Sequence, residues 1–380
     1  MNSEKFRQIF GYEPQFMVKA PGRTELGGNH TDHQNGKVLA APVDIFIYAA
    51  AGLNSTDKIN IYSEGYEAFS VDINDTDIHP EEYGTTKALV RGVMSEFAGK
   101  ELPGFDAYIT SEIPSGSGLS SSAAFEILIG RICCSITGTR KTPTELAIIG
   151  KKAENIYFGK PSGLMDQMAC AADSVIAIDF EDTSAPRVTE VNISFSETGY
   201  SLCIINCGSG HENMTSCYSD ITTELKNVCS IFGADVLRQV DENEFYAKIN
   251  DIRSSCGDRA VLRAMHVFEE NRRVDREIDA LKNKDIESFL DIVKESGRSS
   301  RELLQNIIPA GESLHQDMAF ALAYAEKCLK GKGAVRVHGG GFAGTIQAYV
   351  PSDMTDSFRE SMEAILGTGS CTTVHPGDIN

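Results

Sequence analysis

Residues Ile113–Ile127 read IPSGSGLSSSAAFEI. Three small residues, Gly116, Ser117 and Gly118, lead into Ser120, Ser121 and Ser122 and then into helix formers. Glycine lets the backbone adopt positive φ and lets a ligand come close to the amides. The serines are suited to cap the helix that follows. The first amides of a helix lack intrahelical partners and lie at the positive end of its dipole, so they suit a phosphate. From about Phe125 to Ile136 the helix is apolar on nearly every side, which predicts burial. The run predicts an anion cradle on a rigid base. Taken alone, it also reads as an ordinary loop with a serine cap.

Composition bounds the rest. The chain has 380 residues, 41% of them hydrophobic, enough for a large core and two domains. There are 54 acidic residues against 35 basic ones, a net charge of −19. This argues against nucleic acid as a bulk partner and against an anionic membrane surface. A small anionic ligand stays possible, because a few local bases and amides suffice for it. The N-terminal run MNSEKFRQIFGYEPQF has no apolar segment of the signal-peptide kind. No apolar run approaches the ~20 residues of a membrane span. The ten cysteines are scattered without a CxxC pair. These features predict a reduced, cytoplasmic protein with free thiols.

The pattern of elements predicts an α+β fold. Phe16–Ala20, Val38–Gly52 and Phe105–Ile109 read as strands, and Lys58–Tyr62 with Phe69–Ile73 as an antiparallel hairpin. Thr85–Gly99 and Thr144–Gly159 read as helices, the latter started by Thr142, Pro143 and Glu145. Val175–Phe180, Val188–Ile193 and Leu202–Asn206 read as strands. Glu212–Phe232, Asp258–Leu281, Asp285–Leu304 and Gln316–Leu329 read as long helices. Ala334–His338 and Thr345–Val350 read as strands around a glycine run. Two domains are expected, 1–195 and 196–380, with a mixed sheet in the first and helices plus an antiparallel sheet in the second.

Three further stretches carry candidate chemistry. APGRTELGGNHTDHQNGKVLAAPVD, Ala20–Asp44, is dense in Arg, His, Asp and Asn between glycines. His30 and Asp32 are two apart and would face the same way on extended chain. Arg23 could pair with a carboxylate or a phosphate. His30 and His33 lack a third nearby ligand for a metal. In AVRVHGGGFAGTIQAYV, Ala334–Val350, the glycines suit a backbone that passes close to a ligand or to the phosphate loop. GKKAENIYFGKPSGLMDQMACAA, Gly150–Ala172, adds Glu154 on a helix and Asp166 at the start of another. A carboxylate there also stabilises a helix dipole without further function. The serine loop is not a Walker A loop, because no Gly-Lys pair in the chain is followed by Ser or Thr.

Together, the order and spacing of GRxxLxGxHTDxxxG, PxGxGLSSSAxxE, GxxxGxMDQ and GGGFxG resemble the galactokinase branch of the GHMP small-molecule kinases, over nearly the whole chain. The resemblance implies a two-domain GHMP fold and phosphoryl transfer from ATP, with Mg²⁺, to the anomeric hydroxyl of a sugar. It implies that Asp166 is the base on that hydroxyl and that Arg23 lies beside it and the transferring group. Pro114, Ser115, Gly116, Ser117, Gly118, Leu119, Ser120, Ser121 and Ser122 match the triphosphate loop. Ser122 and Glu154 match the magnesium-facing hydroxyl and carboxylate. Asn29, His30, Asp32, Gly163, Asp166 and Tyr218 match sugar-binding positions. The implied partners are the sugar and MgATP, without nucleic acid or membrane, on a monomer or weak homo-oligomer.

The chain departs from the family pattern in places. Asn29 stands where the family usually has Glu, which contacts the sugar's C6 hydroxyl, and His33 replaces a Tyr. A neutral amide would not repel a C6 acid, and DHQNG is similar to the DHQGG of plant galacturonokinases. D-Galactose and D-galacturonate therefore both stand as expected substrates, galactose ahead. The family's paired Arg after Tyr218 is replaced by Ser219-Asp220-Ile221, and Trp is absent. A non-catalytic sugar and ATP sensor is the third reading. Against it, SSSAAFE is complete and both Asp166 and Arg23 are in place.

Overall fold

The computed structural model describes residues 2–97, 102–114, 116–208, 215–342 and 344–379. Ser115, expected in the triphosphate loop, the far end of the helix expected over 85–99 and the start of that expected over 212–232 lie outside these residues. The chain divides into two compact units, each drawn from three stretches of sequence. The first comprises Met1–Arg23, Pro42–Ser115 and Leu119–Asp173, and the second Thr24–Ala41, Gly116–Gly118 and Ser174–Asn380. The expected single boundary near residue 195 is replaced by two early excursions into the second unit and a final crossing at Ser174.

The first unit opens with α1 (Asn2–Phe10), β1 (Phe16–Gly27) and β2 (Lys37–Leu53), both strands continuing across the unit division. β3 (Lys58–Ser63) and β4 (Phe69–Asp72) form the expected antiparallel hairpin. α2 (Thr86–Ser95) and β5 (Phe105–Ser111) follow. β5 runs parallel to β3 and antiparallel to the Ile47–Leu53 part of β2, so the sheet is mixed. α3 (Ser121–Thr137) is buried from Ala123 to Gly130 and at Ile132 and Cys133, as its apolar circumference requires, while Ser135 in its last turn is exposed. It ends at Gly138, whose φ of 68° closes the last turn without a Cβ penalty. α2, α4 (Pro143–Lys152) and α5 (Met165–Ala171) pack on it.

Thr142 and Glu145 start α4 with a reciprocal capping box. The helix expected over Thr144–Gly159 does not continue as α. After Lys152 it widens into a π turn, Ala153–Tyr157, in which Phe158 N–H donates to Ala153 O at 2.9 Å. A second π turn spans Ser300–Leu304. Such turns concentrate at functional sites, and both carry or support candidate residues here.

In the second unit, β6 (Val175–Asp179) pairs with Lys37–Ala40 of β2 and with β7 (Arg187–Val191). β8 (Tyr200–Asn206) is followed by α6 (Thr215–Ser230), α7 (Glu242–Ala247), α8 (Ile249–Cys256) and α9 (Asp258–Lys282). α10 (Ile286–Ser299) then passes into the π turn Ser300–Leu304. α11 (Asp317–Leu329), β9 (Ala334–His338), β10 (Thr345–Pro351), α12 (Thr355–Leu366) and β11 (Cys371–Val374) complete it. The second sheet has the order β11-β8-β10-β9 and is antiparallel throughout. One of its faces packs on α11 and α12 through residues such as Val337, Ile346, Leu322 and Phe358. No described helix is long and apolar enough to cross a membrane.

Candidate active site

Within the first unit, Arg23 on β1 meets Asp166 on the first turn of α5. The guanidinium donates from Nε at 2.8 Å and from Nη2 at 2.7 Å to the two carboxylate oxygens. Ser120 Oγ donates to Asp166 Oδ2 at 2.5 Å. Burial by itself would raise the Asp166 carboxyl, but the Arg23 charge, its hydrogen bonds and that of Ser120 outweigh it and hold the group below the ordinary aspartate value. The carboxylate stays 37% exposed, whereas Arg23 is 8% exposed. The site therefore presents an ionised acid whose cation is fixed behind it.

The role expected of the serines is corrected at this point. Ser120 occupies the N-cap position of α3 but makes no capping bond, and its φ of 56° lies in the left-handed region. That backbone turns its hydroxyl to Asp166. Non-glycine residues with positive φ are costly outside special settings. His30 at 61°, Asn35 at 54° and Phe342 at 59° belong to the same small group and also fall in the sequence motifs. Replacing Ser120 by alanine removes a bond that favours the carboxylate, so the Asp166 pKa should rise. The acid limb of the kcat profile is then expected to shift to higher pH, with kcat falling roughly tenfold or more for a lost bond to a charged group. A pH–rate profile of S120A checks it; an unmoved limb contradicts the assignment.

The rest of the loop is built as its sequence predicts. Gly116 and Gly118 have φ of 70° and 72°. Leu119 is fully buried, and its carbonyl accepts from Arg23 N–H at 3.1 Å. Pro114 and Ser121 are exposed, Ser122 is half-buried and Ser117 is buried. Gly118 lies against the third motif, since a Cβ there would come within 2.4 Å of Thr345 Oγ1 and 3.1 Å of His338 Nδ1. His338 bridges Thr345 and Thr24, at 3.1 Å each. Gly118→Ala combines a left-handed strain of about 1–2 kcal/mol with this clash. We expect it to raise the KM for ATP roughly 5–30-fold, measured by steady-state kinetics.

Glu154 sits in the π turn after α4, 3% exposed. Lys160 Nζ lies 3.0 Å from its Oε1, and Gln167 Nε2 donates to its Oε2 at 2.9 Å and to Glu126 Oε2 at 3.0 Å. Burial, reinforced by the Glu154 charge, pushes the Glu126 carboxyl well up. Gly163 lies in the loop before α5. Asn155 Oδ1 accepts from the backbone N–H of the preceding Ser162 at 2.8 Å, which fixes that loop. Among the described residues no cluster of three or more His, Cys, Asp or Glu could hold a metal on its own. Glu154 and Ser122, expected to face Mg²⁺, carry oxygen donors of the kind that ion takes, and here both oxygens of Glu154 are engaged by Lys160 and Gln167.

The second unit carries the other expected residues. His30 Nε2 lies 2.9 Å from Gly340 O. Burial drives its pKa down to about 4, so the ring is neutral near pH 7. A neutral ring facing a carbonyl carries its proton on Nε2, which leaves Nδ1 as an acceptor. Asp32 is 14% exposed on its side chain and accepts from His33 N–H at 2.9 Å. Tyr218 O–H donates to Gly341 O at 2.9 Å. Gly340 leaves room for that ring, since a Cβ would lie 2.5 Å from Tyr218 Cε1.

Asn29 is corrected. It is fully buried, and its carboxamide is spent inside the protein. Nδ2 donates to Gly339 O at 2.7 Å and Glu25 Oε1 at 3.2 Å, while Oδ1 accepts from Asn306 Nδ2 at 3.0 Å. Its N–H donates to Glu270 Oε1 at 3.2 Å and its carbonyl faces His266 Nε2 at 2.9 Å. Ser300 Oγ also donates to Oδ1 at 3.4 Å, so both ends of the carboxamide are engaged by the protein in this structure.

Beneath it lies an ionic network that sequence reading missed. Arg336, fully buried on β9, pairs with Glu25 at 2.5 Å and lies 3.6 Å from Glu270. Arg273 pairs with Glu270 at 2.6 Å. Burial would raise Glu270, but the Arg273, His266 and Arg336 charges bring it down to about 2. A lone arginine between valines in AVRVH was the available signal, because a charge in a buried strand demands a partner.

Residues 4–53 match the galactokinase galactose-binding signature, and residues 85–174 the N-terminal domain of the GHMP kinases. The galactokinase of Glaesserella parasuis is 30% identical over 372 residues, which cover 95% of this chain and 91% of that protein. The Haemophilus influenzae galactokinase is 29% identical over 374 residues, covering 93% and 91%. The crystal structure of Lactococcus lactis galactokinase complexed with galactose superposes with a TM-score of 0.82 at 25% identity, covering 99% of this chain and 97% of that one. Methanococcus jannaschii mevalonate kinase, at 15% identity and a TM-score of 0.67 over 95% of this chain and 98% of that one, shares the fold.

Proposed function

The chain belongs to the galactokinase family of the GHMP kinases, a phosphotransferase acting on a sugar hydroxyl, and from that premise we propose that it converts D-galactose and ATP to galactose 1-phosphate and ADP. The observation that carries the reading is the Arg23–Asp166–Ser120 cluster, in which one exposed carboxylate is held ionised by a buried arginine and a serine of the phosphate loop.

In this reading the C1 oxygen attacks the γ-phosphorus as the bond to the ADP oxygen breaks. The proton of the C1 hydroxyl passes to Asp166. A carboxylate held below its usual pKa is a weak base, so it orients the hydroxyl and takes the proton late, as the new bond forms. Arg23 and the amides of the Gly116–Ser122 loop stabilise charge on the phosphoryl oxygens. Ser122 and Glu154 would hold Mg²⁺ with the nucleotide. When bound, that ion supplies neutralisation of phosphate charge. Freeing Glu154 for it requires Lys160, 61% exposed and free to swing, to let go. His30 through Nδ1, Asp32, Tyr218 and the Gly163 backbone are the groups assigned to the sugar hydroxyls.

Galactose is favoured over galacturonate by the internal engagement of Asn29. An amide that does not reach the sugar removes the reason for expecting a C6 acid. The test is a coupled ADP-release assay with MgATP and D-galactose, D-galacturonate, N-acetylgalactosamine, D-glucose and L-arabinose. Turnover on galactose with little on galacturonate is expected. The reverse preference overturns the substrate assignment. Binding of sugar and ATP without turnover on any of them makes the protein a sensor.

A further inference from the structure

In the second unit, α10, α11 and the start of β9 enclose a groove of about 370 Å³, a volume typical of small-molecule sites. Lys294, Arg298 and Arg301 line it from one side. Their spacing of four and then three residues sets them on a single stripe. Gly297 lies on that stripe too. A Cβ there would meet Val335 O and Arg336 Cβ at 3.0 Å, so the glycine lets α10 close on β9 and leaves the groove wall to the cations. Lys332, in the turn after α11, lines the other side.

The charge balance is the reverse of the chain's. Acids outnumber bases 54 to 35 overall, yet Glu326 is the one acid among the described residues lining the groove. It faces Arg301 at 3.3 Å, and Lys294 has the exposed Asp291 at 2.9 Å. For Arg298 and Lys332 no ion pair appears among the described residues. Unbalanced like charges gathered around one concavity repel each other and raise the local concentration of anions. Arginine forks match phosphate oxygens in pairs, and a neighbouring lysine adds a compact charge. Val335 supplies an apolar floor beside them.

We propose that this groove is a second ligand site, built from residues other than the phosphate loop, that binds a small organic phosphate ester. Arg298 and Lys332 hold the phosphate, and the carbon skeleton rests towards Val335.

The test is isothermal titration of the full chain with glycerol 3-phosphate, with inorganic pyrophosphate in a parallel arm. The nucleotide site is kept saturated with Mg²⁺ and a non-hydrolysable ATP analogue. One ester per chain is expected to bind with a Kd of roughly 10–500 μM. Arg298→Gln/Lys332→Gln should weaken it at least about tenfold, the loss of one strong charged contact, while kcat and melting temperature stay unchanged. Gly118→Ala, which disturbs the phosphate loop, should leave ester binding intact. Three outcomes would overturn the proposal. One is no ester binding below about 10 mM. Another is equal binding by the double variant. The third is binding of pyrophosphate without the ester, which would make the groove an inorganic-anion site.

Discussion

Asp166→Asn should cut kcat by about 10²–10⁴-fold, the range for loss of a positioned proton acceptor, while ATP and galactose still bind. The amide keeps the shape and can accept from Arg23 through its oxygen. It cannot take the proton of the C1 hydroxyl, and it offers Arg23 and Ser120 one acceptor where the carboxylate offers two. Arg23 is 8% exposed on its side chain and loses its counter-charge, so the placement that Asp166 gives its guanidinium loosens as well. Single-turnover kinetics with titration of both ligands separates chemistry from binding. A kcat within a few-fold of the parent would remove Asp166 from the reaction.

Arg336→Met should destabilise the protein by about 3–5 kcal/mol, as expected when one member of a buried ion pair is removed. Glu25 and Glu270 then keep their charges in a site where they are 3% and 0% exposed. Urea unfolding followed by fluorescence and circular dichroism measures the loss. Adding Glu25→Gln to the variant should recover part of it, because one stranded charge disappears with the other. Acid should act on the same network. Glu270 has its pKa depressed to about 2, so its contribution is complete above the ordinary carboxylate range near 4 and fades as pH falls from there towards 2. A variant as stable as the parent would mean that these charges are solvated in a way the buried geometry excludes.

What was legible in the sequence was what neighbours in the chain specify. The turn at Gly116 and Gly118, the start of α4 at Thr142 and the burial of α3 as far as Cys133 act within a few residues and follow the sequence. Alternation sufficed for the Lys58–Tyr62 and Phe69–Ile73 hairpin, which pairs antiparallel, whereas β1, expected to end at Ala20, runs on to Gly27. The bonds that give the site its character join distant residues. Ser120 and Asp166 are 46 positions apart, so a serine that looked like a cap became a partner of the acid. Asn29 was read by its place in a motif, whereas its bonding is set by Gly339, Asn306 and Glu270, up to 310 residues away. The π turns were illegible because each spans five residues, too few to show a period of its own. α12 and β11 went unread because no side-chain cap announces the helix and the strand has four residues.

The 310-residue separation between Asn29 and Gly339 also sets a schedule. A ribosome adding about 5–20 residues per second needs roughly 15–60 s between making the first and the second. Over that interval Thr24–Ala41 has left the ribosome without β9, α9 or the turn that follows α10. Its polar groups must stay hydrated, or be held by a chaperone, until the last third of the chain arrives. Truncation before residue 340 should therefore yield nascent chains that are cleared or aggregate rather than a working half-enzyme.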